Sequence, residues 1–228
     1  MTKRLSTKIA ATALLGLLVL GVAGCTNNAL AQQYRDGSGK NYVAGDGAIT
    51  EITVKNRTKP VHFASKLEDG TPVNSDNYAG HILIVNFWYA GCAPCRAEAP
   101  DLEKTYKKFA AQGVGFLGVN VRDQAATAAT FARTYGVTYP SVLDANDGAM
   151  QLAFSGAIAA NAVPTTLVLD PQGRVAARIL GRIPDASTLG ALITTVVSEP
   201  VRTPPSGAQT TQGPVMVPRS PRPQPKDK

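Results

Sequence analysis

The chain predicts an α/β domain, a mixed central sheet flanked by helices, with extra strands at its N-terminal side. Two continuous apolar runs, "HILIVNFW" (81–88) and "VGFLGVNV" (114–121), have the pattern of strands buried on both faces. Helix-like stretches follow each run and are long enough to cross the sheet, as parallel neighbours require. Near the end, "TTLVLD" (165–170) and "RVAARIL" (174–180) flank a tight turn over Asp170–Gly173, which makes an antiparallel pair.

The remaining elements follow in order. "AITEITV" (48–54) and "PVHFAS" (60–65) read as short strands, and "LEDGTPV" (67–73) carries an Asp-Gly hairpin signal. Residues 93–111 read as a helix: Pro94 is tolerated in a first turn, and Leu102, Tyr106 and Phe109 recur at helical spacing. Gly113 stops it, and Pro100 inside it implies a kink. A second helix spans 124–136, a strand 139–144, a short helix 147–154 and a closing helix 185–198.

The net charge of +7 sits at the two ends. Residues 1–24 hold Lys3, Arg4 and Lys8 with no acid, and 200–228 hold five basic residues against Asp227, which leaves 25–199 neutral. A neutral body lacks the clustered basic face that nucleic acid requires, so no nucleic-acid partner is expected. "MTKRLSTKIAATALLGLLVLGVAGC" is an export signal, basic and then apolar, with a run short for a spanning helix. "VAGC" resembles a lipoprotein lipobox, which implies that Cys25 carries lipid and anchors the chain to the membrane's extracytoplasmic face. The organisation is then signal (1–24), polar tether (25–47), folded domain (48–199) and a Pro-rich basic tail (200–228) that buries too little apolar surface to order.

With Cys25 lipidated, Cys92 and Cys95 are the only thiols left of three. They lie in "NFWYAGCAPCRAEAP" (86–100), where a strand ending at Trp88 turns into a helix and puts Cys92 at the helix N-terminus. Unpaired N–H groups there favour a thiolate, the attacking species. Cys95, one turn on, is within disulfide reach and is the less exposed, resolving sulfur. Other chemistries fit poorly. Zinc wants four ligands, haem attachment wants histidine where Arg96 stands, and so short a closed loop adds little stability. No cofactor is expected beyond the Cys92–Cys95 disulfide, and no metal. Arg96 favours the thiolate by its charge or is simply solvated; His62 and His81 are given no chemistry.

"NFWYAGCAPCRAEAP" together with "AVPTTLVLDPQGRV" resembles the TlpA/ResA-like thiol-disulfide oxidoreductases of thioredoxin fold, over residues from about 60 to 198. The resemblance implies that Pro164 is a cis-proline facing the redox pair and that the backbone of Val163 pairs with an extended substrate segment. It also places the ring of Trp88 beside the disulfide as part of the substrate-binding surface. Thioredoxin's buried aspartate is here Asn86, which cannot take a proton at ordinary pH. Glu98 matches a glutamate that this group uses near its site, and is the candidate base for Cys95, with a raised pKa. The alternative for Glu98 is a solvated carboxylate on the helix surface.

The family implies a reductant of protein disulfides, such as those of apocytochrome c before haem attachment, supplied by a membrane thiol-disulfide transporter. Direction rests on reduction potential, so a disulfide-forming oxidase stays open. A thioredoxin-like copper chaperone is disfavoured by the C-x-x-C spacing and the scarcity of histidine. A peroxidase would want Thr where Tyr89 stands.

Overall fold

The computed structural model describes residues 46–158 and 162–199. The expectations for the signal, for Cys25, for the tail and for all of the tether but its last two residues lie outside them.

A six-stranded sheet forms the centre, in the order β1-β8-β7-β4-β5-β6. Its strands are β1 (Asp46–Glu51), β4 (Leu83–Trp88), β5 (Gly115–Asn120), β6 (Ser141–Leu143), β7 (Thr165–Leu169) and β8 (Val175–Gly181). β4 pairs parallel with β5 and β5 parallel with β6, whereas β7 and β8 run antiparallel, so the sheet is mixed as expected. The crossovers are helices α1 (Ala93–Phe109) and α2 (Ala125–Tyr135), followed by a short α3 (Ala149–Ala153) and a closing α4 (Ala186–Val197). A separate hairpin, β2 (Ala64–Lys66) with β3 (Pro72–Asn74), turns at Asp69-Gly70, where Gly70 has φ 85°. Among the described residues no helix is long and apolar enough to cross a membrane.

Alternation along the strands divides the interior into two layers. Ile84, Phe116, Val168 and Ile179 point to one face, where Leu102 and Phe109 of α1 and Leu189 and Ile193 of α4 cover them. Val85, Phe87, Leu117, Leu167 and Leu169 point to the other, against Phe63, Met150 and Phe154. All six residues of β4 are buried, which is why its sequence shows no polar alternation. Each such large side chain contributes about 1.5–3 kcal/mol by leaving water.

Several boundaries differ from the sequence reading. β1 begins at Asp46 and ends at Glu51; after Thr53 the chain winds into a 3-10 turn over Val54–Asn56 rather than remaining a strand. The strand expected at 60–65 is confined to Ala64–Lys66, because Pro60 has no N–H and Val61 spends its own on Gly173 outside any ladder. α1 continues through Pro100 to Phe109, adds a 3-10 turn over Ala110–Gln112, and stops at Gly113 with φ 80°.

Candidate active site

β4 sends Ile84, Asn86 and Trp88 to one face of the sheet, and its C-terminal end delivers the chain through the turn 89–91 to α1. Cys92 is the N-cap residue of that helix, and its Sγ accepts the backbone N–H of Cys95 at 3.2 Å. Cys92 and Cys95 form a disulfide with Cα atoms 5.3 Å apart. The structure corrects one expectation here. Cys95 is not the more shielded sulfur residue: Cys92 is 0% exposed and Cys95 2%. Both belong to one buried cluster with Trp88, Tyr89, Ala99, Ala128, Phe131 and Val163.

Val163–Pro164 is a cis peptide bond at the entry to β7. Val163 belongs to the same buried cluster as the cysteines, so this segment enters the same end of the core. It is fixed from two sides: Thr165 Oγ1 donates to the carbonyl of Ala162 at 2.6 Å, and Gly181 N–H donates to the carbonyl of Pro164 at 2.9 Å.

Glu98 lies one helical turn past Cys95 on α1 and is 0% exposed, not a solvated surface carboxylate. Asn86 Nδ2 donates to its Oε1 at 2.9 Å, and Ile183 N–H donates to its Oε2 at 2.8 Å. Burial pushes its pKa up to about 7, against these two hydrogen bonds and the charge of Arg182, which favour the anion; Asp101 adds a small upward push.

Trp88 is held in place by Ser141, which accepts its indole Nε1–H at 3.1 Å, and by Phe131, whose ring centroid is 4.3 Å away. Gly118 makes this contact possible: a Cβ there would stand 2.6 Å from Ser141 Oγ and 3.0 Å from Trp88 Nε1. The turn before Cys92 is clipped by the loop after β5. Asp123 Oδ2 accepts Ala90 N–H at 2.6 Å, and the Arg122 guanidinium lies 4.3 Å over the Tyr89 ring.

The fold thus gathers Trp88, Cys92, Cys95, Glu98, Val163 and Pro164 at one end of the sheet; Cys25 lies outside the described residues. Sequence reasoning missed Gly118, Ser141, Thr166 and the Arg122–Asp123 clip. A signal existed for the first alone, since glycine inside an apolar strand marks close approach by a neighbour. Among the described residues no group of three or more His, Cys, Asp or Glu side chains is arranged to hold a metal ion.

Residues 48–193 match the Redoxin family model. The chain is 31% identical over 125 residues to the thiol-disulfide oxidoreductase ResA of Bacillus subtilis (strain 168), covering 55% of this chain and 67% of that one. It is 33% identical over 124 residues to ResA of Geobacillus thermodenitrificans (strain NG80-2), covering 54% and 68%. Among solved structures, a secreted thiol-disulfide isomerase from Corynebacterium glutamicum matches with a TM-score of 0.61 at 30% identity, over 68% of this chain and 95% of that one. A DsbF homologue from Corynebacterium diphtheriae matches with a TM-score of 0.58 at 31% identity, over 66% and 94%. With the family model spanning well over half of the chain and relatives of one chemistry above 30% identity, the chain belongs to the Redoxin family, as a thiol-disulfide oxidoreductase of thioredoxin-like fold.

Proposed function

We propose that the protein is a reductant of protein disulfides, tethered through lipid on Cys25 to the extracytoplasmic face of the cell membrane. Its substrates include the haem-binding cysteine pair of apocytochrome c, and a membrane thiol-disulfide transporter re-reduces it. The observation that carries the exchange chemistry of this reading is the Cys92–Cys95 disulfide at the start of α1, with the Glu98 carboxyl buried one turn beyond it.

In the dithiol form, the Cys95 N–H and the helix N-terminus favour Cys92 as thiolate. The thiolate attacks one sulfur of the substrate disulfide. That S–S bond breaks, its other sulfur leaves as a thiolate and takes a proton from water, and Cys92 is held in a mixed disulfide. Cys95 passes its proton to ionised Glu98 and attacks Cys92 Sγ, which closes the internal disulfide and expels the second substrate sulfur. Two electrons pass to the substrate, and Glu98 returns the proton to the departing thiolate or to water. Val163 and cis-Pro164 border the pair where an extended substrate segment would lie alongside.

Equilibration against glutathione or dithiothreitol buffers, read by fluorescence of Trp88 beside the disulfide, tests the direction. A potential near about −270 mV is expected, and one near about −120 mV would overturn the reductant reading in favour of an oxidase. For the tether, Cys25→Ser is expected to move the protein from the membrane to the soluble fraction.

A further inference from the structure

The turn 89–91, immediately before Cys92, is bordered by two guanidinium groups. Arg122 is exposed and stacks over the Tyr89 ring, its Cζ 4.3 Å from the centroid. The Tyr89 ring in turn lies against Gly91, where an added Cβ would meet its Cε2 at 3.3 Å. Gly91 has no side chain, so the ring, with the arginine over it, borders the residue just before Cys92. On the helix side, Arg96 is half-buried and its Nη1 donates to the carbonyl of Ala90 at 3.1 Å. Among the described residues neither arginine forms an ion pair. The acid of this rim, Asp123, has its Oδ2 engaged by Ala90 N–H and by Asn120 Nδ2 at 2.9 Å. The rim keeps a net positive charge, although the body of the chain is neutral. Arg122 is exposed, and a guanidinium carries paired N–H donors that can grip a carboxylate with two hydrogen bonds.

We infer that this rim selects protein segments in which aspartate or glutamate flanks the reacting cysteine, with Arg122 as the principal contact and Arg96 as the second. The inference rests on the thiol-disulfide exchange assigned above and names the class of substrate that exchange prefers. The chemical step is unchanged: Cys92 thiolate attacks, the peptide disulfide is reduced, and the Cys92–Cys95 disulfide forms. The arginines raise the rate of encounter and orient the bound segment.

The test uses the reduced protein and three synthetic peptides, each closed by one internal disulfide and flanked by two Asp, two Lys or two Ser residues. Rates of peptide reduction are followed by Trp88 fluorescence. At about 20 mM salt the Asp peptide is expected to react about tenfold faster than the Lys peptide, with the ratio approaching one near about 1 M salt. Arg122→Glu is expected to reverse the order, and Arg96→Gln to reduce the ratio. Equal rates for the Asp and Lys peptides, or an unchanged ratio in Arg122→Glu, would overturn the inference while exchange itself stands, as the Ser peptide reports. Failure to reduce any of the three peptides would overturn both.

Discussion

Asn86 on β4 and Glu98 on α1 meet inside the protein, amide nitrogen to carboxyl oxygen at 2.9 Å, both residues nearly or wholly out of water. The same Asn86 nitrogen donates to Thr166 Oγ1 at 3.1 Å, across the register pair Asn86↔Thr166 of β4 and β7. Thr166 stands two residues after cis-Pro164. Strand, helix and proline segment are therefore joined at one side chain. Where thioredoxin keeps a titrating group on this strand, here the strand supplies the donor and the helix supplies the acid.

The first consequence concerns pH. Glu98 has a folded-state pKa of about 7 against an ordinary value of 4.5. Below about pH 4.5 the carboxyl is protonated whether the chain is folded or not, and its stabilising contribution is intact. Between about pH 4.5 and pH 7 the unfolded chain has lost the proton that the folded one keeps, so stability falls as pH rises. Above that range the full cost, about 3 kcal/mol, has been incurred. Glu98→Gln is expected to flatten this decline and to be relatively more stable than wild type at pH 8 than at pH 4, as measured by urea unfolding of the oxidised protein. Parallel profiles for the two proteins would contradict the assignment.

Replacing Asn86 by Asp puts a second carboxyl at hydrogen-bonding distance from Glu98. Two buried like charges cannot both ionise at ordinary cost, so the pair is expected to hold one shared proton to higher pH than Glu98 alone does. Asn86→Leu removes one of the two donors that favour the anion and leaves only the Ile183 N–H, so the loss again favours the protonated form. Carbon-13 NMR of the side-chain carboxyls should show an upward-shifted titration in both variants. A titration unmoved in Asn86→Leu would mean that the 2.9 Å contact does not govern the acid.

Much of this site is legible in the sequence because its parts are local. The C-x-x-C pair, the helix start at Ala93 and the glutamate one turn beyond Cys95 are all fixed by spacing along one strand-turn-helix unit. Pro164 is legible through its place before the apolar run of β7. Relationships that depend on strand register were not legible: Asn86 opposite Thr166, and Ser141 brought to Trp88 across Gly118. The expected difference in exposure between the cysteines is absent because both lie in one buried cluster that Phe131 and Val163 join from distant segments, and local helix geometry does not report such cover. The strand expected at 60–65 failed for a similar reason, since the partner of Val61 is Gly173, more than a hundred residues on.

Gly118 offers a direct test of how Trp88 is held. In Gly118→Ala the new methyl carbon would sit 2.6 Å from Ser141 Oγ, in the middle of a strand paired on both sides, so Ser141 and the indole must separate. The cost is expected to be about 1–3 kcal/mol from crowding, plus about 1 kcal/mol for the lost hydrogen bond. Ser141→Ala should lose only the latter. Urea unfolding gives the stabilities, and the fluorescence of the single tryptophan reports whether the ring has shifted. Equal losses in the two variants would show that the methyl is accommodated without crowding.

A second buried cluster of charges stands at the end of β7 away from Pro164. The Arg57 side chain is 2% exposed and donates from Nη1 to Asp170 Oδ2 at 3.0 Å and to Glu199 Oε2 at 2.7 Å, and from Nε to the carbonyl of Ile52 at 3.0 Å. Asp170 also accepts from Arg174 Nε at 2.8 Å and from the N–H groups of Gln172 and Arg174, which close the turn between β7 and β8. One guanidinium therefore ties the segment after β1 to that turn and to the end of α4. Arg57→Ala takes the cation from Glu199 and one of two from Asp170, which keeps Arg174, and is expected to cost about 1–3 kcal/mol. Arg57→Lys restores the charge but not the fork of donors, and should recover only part of the loss. β7 separates this cluster from Pro164 by five residues, about 16 Å of strand. Exchange rates at Cys92 are accordingly expected to be unchanged in both variants while the urea midpoint falls. A rate that fell along with stability would mean that this staple holds the redox end in shape, not merely the ends of the chain.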